Sequence, residues 1–230
     1  MSTNVQLLGL VMVCVIAGPA AAKDVTVGTI TLHLPPPAGY CELSERDNSE
    51  ARVIKAITSG AEKSDIRILA ISADCAELAA WHAGKQPTLN KLANYQTSAS
   101  QQNQLSDSPE AIVEDTCGIM RSQGQQFLDQ SPNFKSIKSR VEAIVGSVKI
   151  NEVEFLGILG EEPAVCYAGT LQKVQTESGI ITLMSTVAST VLNQKLLNSY
   201  LSTVYENGDT AISMLAHHRD NIEQLRRVNP

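Results

Sequence analysis

Cys75 and His82, with Asp74 and Trp81 beside them, are the closest approach to a reactive pair in this chain. A cysteine activated by a histidine is a nucleophile, but only as a free thiolate. Cysteine usage argues against that state. Apart from Cys14, the cysteines are Cys41, Cys75, Cys117 and Cys166, well separated and in no C-x-x-C arrangement. In an exported chain four such residues imply two disulfides, with three pairings open. We favour Cys41–Cys75, which brackets a strand–helix–strand unit, and Cys117–Cys166, which ties a helix face to a central strand. Each bond contributes about 2–4 kcal/mol by restricting the unfolded chain. The Cys75 and His82 nucleophile is then the lesser reading.

The other chemistry-bearing residues are sparse. His33 lies in a strand with no acidic or histidine neighbour two residues away. His217 and His218 are adjacent on a helix and point in different directions, whereas a helical metal chelate uses residues four apart. His218 falls on an apolar stripe and is expected as a hydrogen-bonded core residue. The acidic pairs Glu161-Glu162 and Asp47…Glu50 sit in turn-like or helix-start contexts, where solvated charge is the ordinary role. The chain has no G-x-S-x-G, P-loop, dinucleotide fingerprint or H-E-x-x-H. No catalytic residue, metal or cofactor is expected. Tyr40 adjoins Cys41, Tyr167 adjoins Cys166, and Tyr200 and Tyr205 lie in the last strand-like segment. Amphipathic rings of this kind line binding grooves or pack around disulfides with their hydroxyls at the rim. These four tyrosines are the binding candidates.

The address is written at the start. Residues 1–22 carry no charged side chain, and Leu7–Ala17 is almost wholly apolar. The run is about 10–11 residues long, the length of a signal-peptide core and half of a membrane span. Gly18-Pro19 breaks it and Ala20-Ala21-Ala22 offers a cleavage site. Residues 23–230 are expected as one domain, periplasmic or secreted, with no membrane span. Lys and Arg number 18 against 24 Asp and Glu, a net charge of −6 with no basic run. Nucleic acid and anionic membrane surfaces are therefore poor partners.

The elements that must position these residues follow from periodicity. Val25–Leu34 alternates as one strand with a bulge near Gly28, stopped by Pro35-Pro36-Pro37. Asn48–Glu62 reads as a helix, and Ile66–Ile71 as a buried strand. Residues 84–108, rich in Gln, Ser and Asn, read as a long flexible loop or flap. Ser108-Pro109 and Ser131-Pro132 start two amphipathic helices. The period then switches to two, giving strands at Phe155–Leu159, Ala164–Val174, Gly179–Leu192 and Lys195–Tyr205. Both faces of this meander are partly apolar, which requires cover on each side. Asn207-Gly208-Asp209 leads into a last helix. The fold class is α+β: an antiparallel sheet with a C-terminal β-meander, packed by amphipathic helices in an α/β/α sandwich.

That order of elements resembles PsbP-like α/β/α sandwiches. The fragments Leu34–Cys41 (LPPPAGYC), Ala73-Asp74-Cys75, Cys166-Tyr167-Ala168 and Asn221–Leu225 (NIEQL) are similar to those of a family of uncharacterised bacterial exported proteins. The resemblance implies a fold and a periplasmic address and assigns no functional residue. The sequence thus points to a non-enzymatic binding or accessory module, engaging an envelope protein or a small ligand through residues 84–108 and the tyrosine-bearing sheet. A structural or assembly partner of the envelope, and an enzyme using Cys75 and His82, are the alternatives.

Overall fold

A computed structural model describes residues 22–61, 65–100, 105, 107–130, 149–176 and 179–230. The expected leader, apart from Ala22, and the helix expected after Ser131 fall outside them. The strands are β1 (Lys23–Val27), β2 (Ile30–Leu34), β3 (Tyr40–Glu42), β4 (Ile66–Asp74), β5 (Leu92–Ser98), β6 (Lys149–Glu162), β7 (Val165–Thr176), β8 (Gly179–Leu192) and β9 (Lys195–Val204). The helices are α1 (Asn48–Ala61), α2 (Cys75–His82), α3 (Pro109–Gln130) and α4 (Gly208–Val228).

The C-terminal half follows its periodicity closely. β8 and β9 turn at Asn193 and Gln194, both left-handed with φ of 46° and 60°, the tight hairpin geometry whose twist matches that of the strands. β6 to β9 form an antiparallel meander within a seven-stranded sheet of order β3-β4-β5-β9-β8-β7-β6. Successive residues face opposite sides, so Tyr167, Ala188, Leu197 and Leu201 share one face and Cys166 the other.

The first face is closed by α4, which buries Met214, His218, Asn221, Ile222 and Leu225. Asn207 caps this helix in a reciprocal capping box with Thr210. The β1–β2 hairpin extends the same layer, with Val27, Leu32 and Leu34 in one cluster with Leu69, Tyr167, Leu197 and Leu225. The opposite face is covered by α3 around Val113, Cys117 and Cys166. Gly124 lets α3 lie on the ring of Phe155: a Cβ there would stand 2.4 Å from it. Toward β4 the cover passes to α1 and α2, which pack Val53, Ile54, Ile57 and Leu78 on Ile71 and Ala73. Three layers result, α/β/α, as both apolar faces require.

Two expectations need correction. Val25–Leu34 is not one bulged strand. It folds at Gly28-Thr29 into β1 and β2, paired from Lys23↔Leu34 to Val27↔Ile30. Gly28 takes the left-handed φ of 62° that the turn needs. Nor is 84–108 a continuous loop, because it contains β5. That strand lies inside the sheet between β4 and β9, with Ala93, Tyr95 and Thr97 buried on alternate positions. Its intervening residues Asn94 and Gln96 are polar, which hides the alternation in composition.

Candidate functional site

Cys75 is the first residue of α2 and His82 the last, so about 10 Å of helix axis separates them. Cys75 is bonded to Cys41 (S–S 1.99 Å, Cα–Cα 5.0 Å) and Cys117 to Cys166 (S–S 1.92 Å, Cα–Cα 5.8 Å). The structure therefore does not bring a Cys75 and His82 nucleophile together. Disulfides are common in chains that mature outside the reducing cytoplasm and rare inside it.

His82 meets a different partner. Its Nε2 lies 2.7 Å from Glu50 Oε1, while Ser44 N donates to Glu50 Oε2 at 2.6 Å. Asp47, ahead of α1, accepts from the backbone N–H groups of Ser49 (2.8 Å) and Glu50 (3.0 Å). Those two bonds hold the Asp47 carboxyl below its usual range, with His82 a smaller contribution. One ligand atom each of Asp47, Glu50 and His82 lies within 4.8 Å of the others, a set that suits a divalent cation. The group also has a complete structural role: it caps α1 and fastens it to the end of α2. Glu50→Ala should therefore lower stability by about 1 kcal/mol, because the part-buried bond from Ser44 N–H and the contact to His82 are both lost. His82→Ala, at a half-exposed ring, should cost less in urea unfolding. Equal losses would show that the imidazole contact carries the linkage.

The structure also assembles a serine–histidine pair that the sequence does not signal. His218 Nε2 lies 3.0 Å from Ser199 Oγ and its Nδ1 2.8 Å from Thr186 Oγ1. Ser199 Oγ accepts from Asn221 Nδ2 at 3.1 Å, and Tyr95 Oη lies 2.8 Å from Asn221 Oδ1 and 2.7 Å from Pro35 O. Ser199 and His218 are each 0 % exposed, so no substrate reaches them. Burial, helped by neighbouring His217, pushes the His218 pKa down to about 3. This neutral ring is a core residue that joins α4 to β8 and β9.

The four tyrosines do not form one groove. Tyr40 and Tyr205 share a cluster under α4 with Met184, Leu201 and Met214. Tyr167 is fully buried in the neighbouring cluster, with Arg219 stacked over its ring at 5.8 Å. Tyr200 pairs in register with Asn94 and Val187, which places it on the opposite face from Tyr167. Burial, with Asp74 and Glu77 nearby, pushes the Tyr40 hydroxyl up to about 12.

A recess open to solvent lies beside β4. It measures about 570 Å³ and is lined by Lys23 of β1, the Glu42–Arg46 turn, Ile54 and Thr58 of α1, and Ile68–Ile71 of β4. Its floor is the outer edge of β4. β3 pairs with β4 only over Tyr40–Glu42 and Ser72–Asp74, so the first half of β4 borders the recess. Sequence reasoning missed this feature because it arises from unequal strand lengths. The one available signal is the helix start at Asn48, which takes the chain off β4 soon after Glu42.

Among the described residues no helix is long and apolar enough to cross a membrane. No family model and no curated protein matches the sequence. Among solved structures, the chain is similar to the Ran-binding protein Mog1p of Saccharomyces cerevisiae, at 9% identity and a TM-score of 0.34 over 91% of this chain and 93% of that one. It is also similar to the cyanobacterial PsbP (CyanoP) of Synechocystis sp. PCC 6803, at 12% identity and a TM-score of 0.29 over 90% and 94%. At these scores neither neighbour bears on partner or activity.

Proposed function

We propose that the protein is an exported, non-enzymatic binding or accessory module of the periplasm or extracellular space, with the recess beside β4 as its contact surface. The observation that carries this reading is the contrast between that recess and the cysteines and serine–histidine pair. The cysteines at 41, 75, 117 and 166 are consumed in disulfides, and the Ser199–His218 pair is sealed in the core. The β4 recess instead offers polar and apolar groups from four separate elements to solvent. The disulfides, the charge-free apolar leader and the resemblance of LPPPAGYC to bacterial exported proteins support the address.

A photo-cross-linking residue at Arg46, in the wall of the recess, tests the contact in intact envelopes. A discrete adduct is expected from Arg46 and none from exposed Ser213 on α4. Filling the recess with Thr58→Trp should abolish it. An adduct that forms equally from Ser213, or that survives Thr58→Trp, would remove the recess from the interface.

A further inference from the structure

Resting on that reading, we infer that the recess takes its partner by strand addition: an extended polypeptide segment pairs with the outer edge of β4 at Ile66–Ala70, continuing the line of β3.

The backbone directions support this. The β3–β4 ladder ends where Leu43 N donates to Ile71 O at 2.9 Å. β4 continues to Ile66, and among the described residues no strand lies on that side of it. At the far end Ala99 N donates to Asp65 O at 2.8 Å, and at the near end Asp74 N donates to Lys91 O at 3.1 Å. Antiparallel residues alternate between facing one neighbour and facing the other. With the register shift between Ile68 and Ala70, that alternation turns the N–H and C=O groups of Ile66 and Ile68 away from β5, and Ile68 lines the recess. Five residues of strand span about 17 Å, enough for an added segment of about four residues.

The two ends of the sheet are treated differently. β6, at the opposite edge, is broken by three register shifts and carries Lys149, Glu152, Glu154, Glu161 and Glu162. Bulges and charge are the usual means of refusing another strand. The open half of β4, Ile66-Arg67-Ile68-Leu69-Ala70, has one charge and no proline. Its protection is recession between β1 and α1. That geometry selects the occupant. Two recessed edges cannot meet, because the walls of each hold the other away, whereas a single extended chain enters. Main-chain bonds would supply affinity, and side chains turned toward Ile54 and Ile68 would favour small apolar residues.

The test pans a displayed library of random 12-residue peptides against the purified full-length protein, with counter-selection on Thr58→Trp. The best peptide is then synthesised plain and with its amides N-methylated on either alternate set of residues. Strand addition predicts that one methylated set weakens binding at least ten-fold while the other changes it less than three-fold. It also predicts that Ile68→Pro, which deletes an outward N–H, weakens binding at least ten-fold. Ile66→Pro, at the first residue of the strand, gives the same readout should Ile68→Pro fail to fold. Indifference to both methylated sets, or an empty selection, would overturn strand addition while leaving a side-chain contact in the recess possible through the Arg46 adduct. Selected peptides that bind Thr58→Trp equally well would overturn the recess itself. A dimer abolished by Thr58→Trp would assign the edge to a second copy and overturn the peptide.

Discussion

Replacing His218 by alanine should destabilise the protein by about 3–5 kcal/mol, the range for removing a fully buried ring, because the hydroxyls of Thr186 and Ser199 also lose their partner. The pH dependence is more diagnostic than the loss itself. The folded pKa of about 3 lies below the ordinary histidine value of about 6.5. Between these values the unfolded chain binds the extra proton, so stability falls as pH falls. The full contribution of the neutral ring is present above about pH 6.5 and drains by up to about 1.4 kcal/mol per pH unit below it. Asp47 and Asp65, both lowered by hydrogen bonds from neighbouring groups, join only where carboxylates titrate, below about pH 4. Urea midpoints between pH 7 and 4.5 avoid those carboxylates, and His218→Gln should flatten that limb. An unchanged slope in the variant would show that the ring is not the titrating group.

The same network fixes a tautomer. A tyrosine hydroxyl has one proton to donate, yet Tyr95 Oη faces two carbonyl-type oxygens, Pro35 O and Asn221 Oδ1. An amide turned over exchanges its oxygen and nitrogen. With Asn221 turned, every bond has one donor: Asn221 Nδ2 to Tyr95, Tyr95 to Pro35 O, Ser199 to Asn221 Oδ1, His218 Nε2–H to Ser199, and Thr186 to His218 Nδ1. The neutral ring then carries its proton on Nε2.

The second large effect concerns Cys117–Cys166, whose sequence separation is 49. Replacing both cysteines by alanine should cost about 4 kcal/mol by the loop-closure relation. The cause lies mainly in the unfolded chain, so the urea m-value should rise as that chain becomes more expanded. Cys41–Cys75 closes a loop of separation 34 and should matter slightly less. A loss well under 1 kcal/mol with an unchanged m-value would mean that packing of α3 on β7, rather than the cross-link, holds this layer.

What could be read from the sequence was whatever repeats locally. β7 to β9 show a period of two, α4 carries an apolar stripe that includes His218, and an apolar pattern on both faces of the meander demands cover on both sides. What escaped depends on comparison between distant segments. Gly28 interrupts an alternation in the same way whether it marks a bulge or a reversal, and only the pairing of Lys23 with Leu34 distinguishes them. β5 hides because its buried side includes Thr97 and its other side Asn94 and Gln96, so its inward face reads as weakly apolar. His82 finds Glu50 across 32 residues, and no spacing rule reaches that far. The β4 recess follows from a strand of 3 residues beside one of 9, a mismatch invisible to any periodicity.

The most direct test of the open edge needs no partner. Amide hydrogen exchange, resolved by residue in the purified protein, should find the N–H groups of Ile66 and Ile68 nearly unprotected, while those of Ala70 and Ser72, turned toward β5, exchange slowly. Slow exchange along the whole of β4 in the free protein would mean that its edge is already paired, and the contact surface would have to be sought elsewhere.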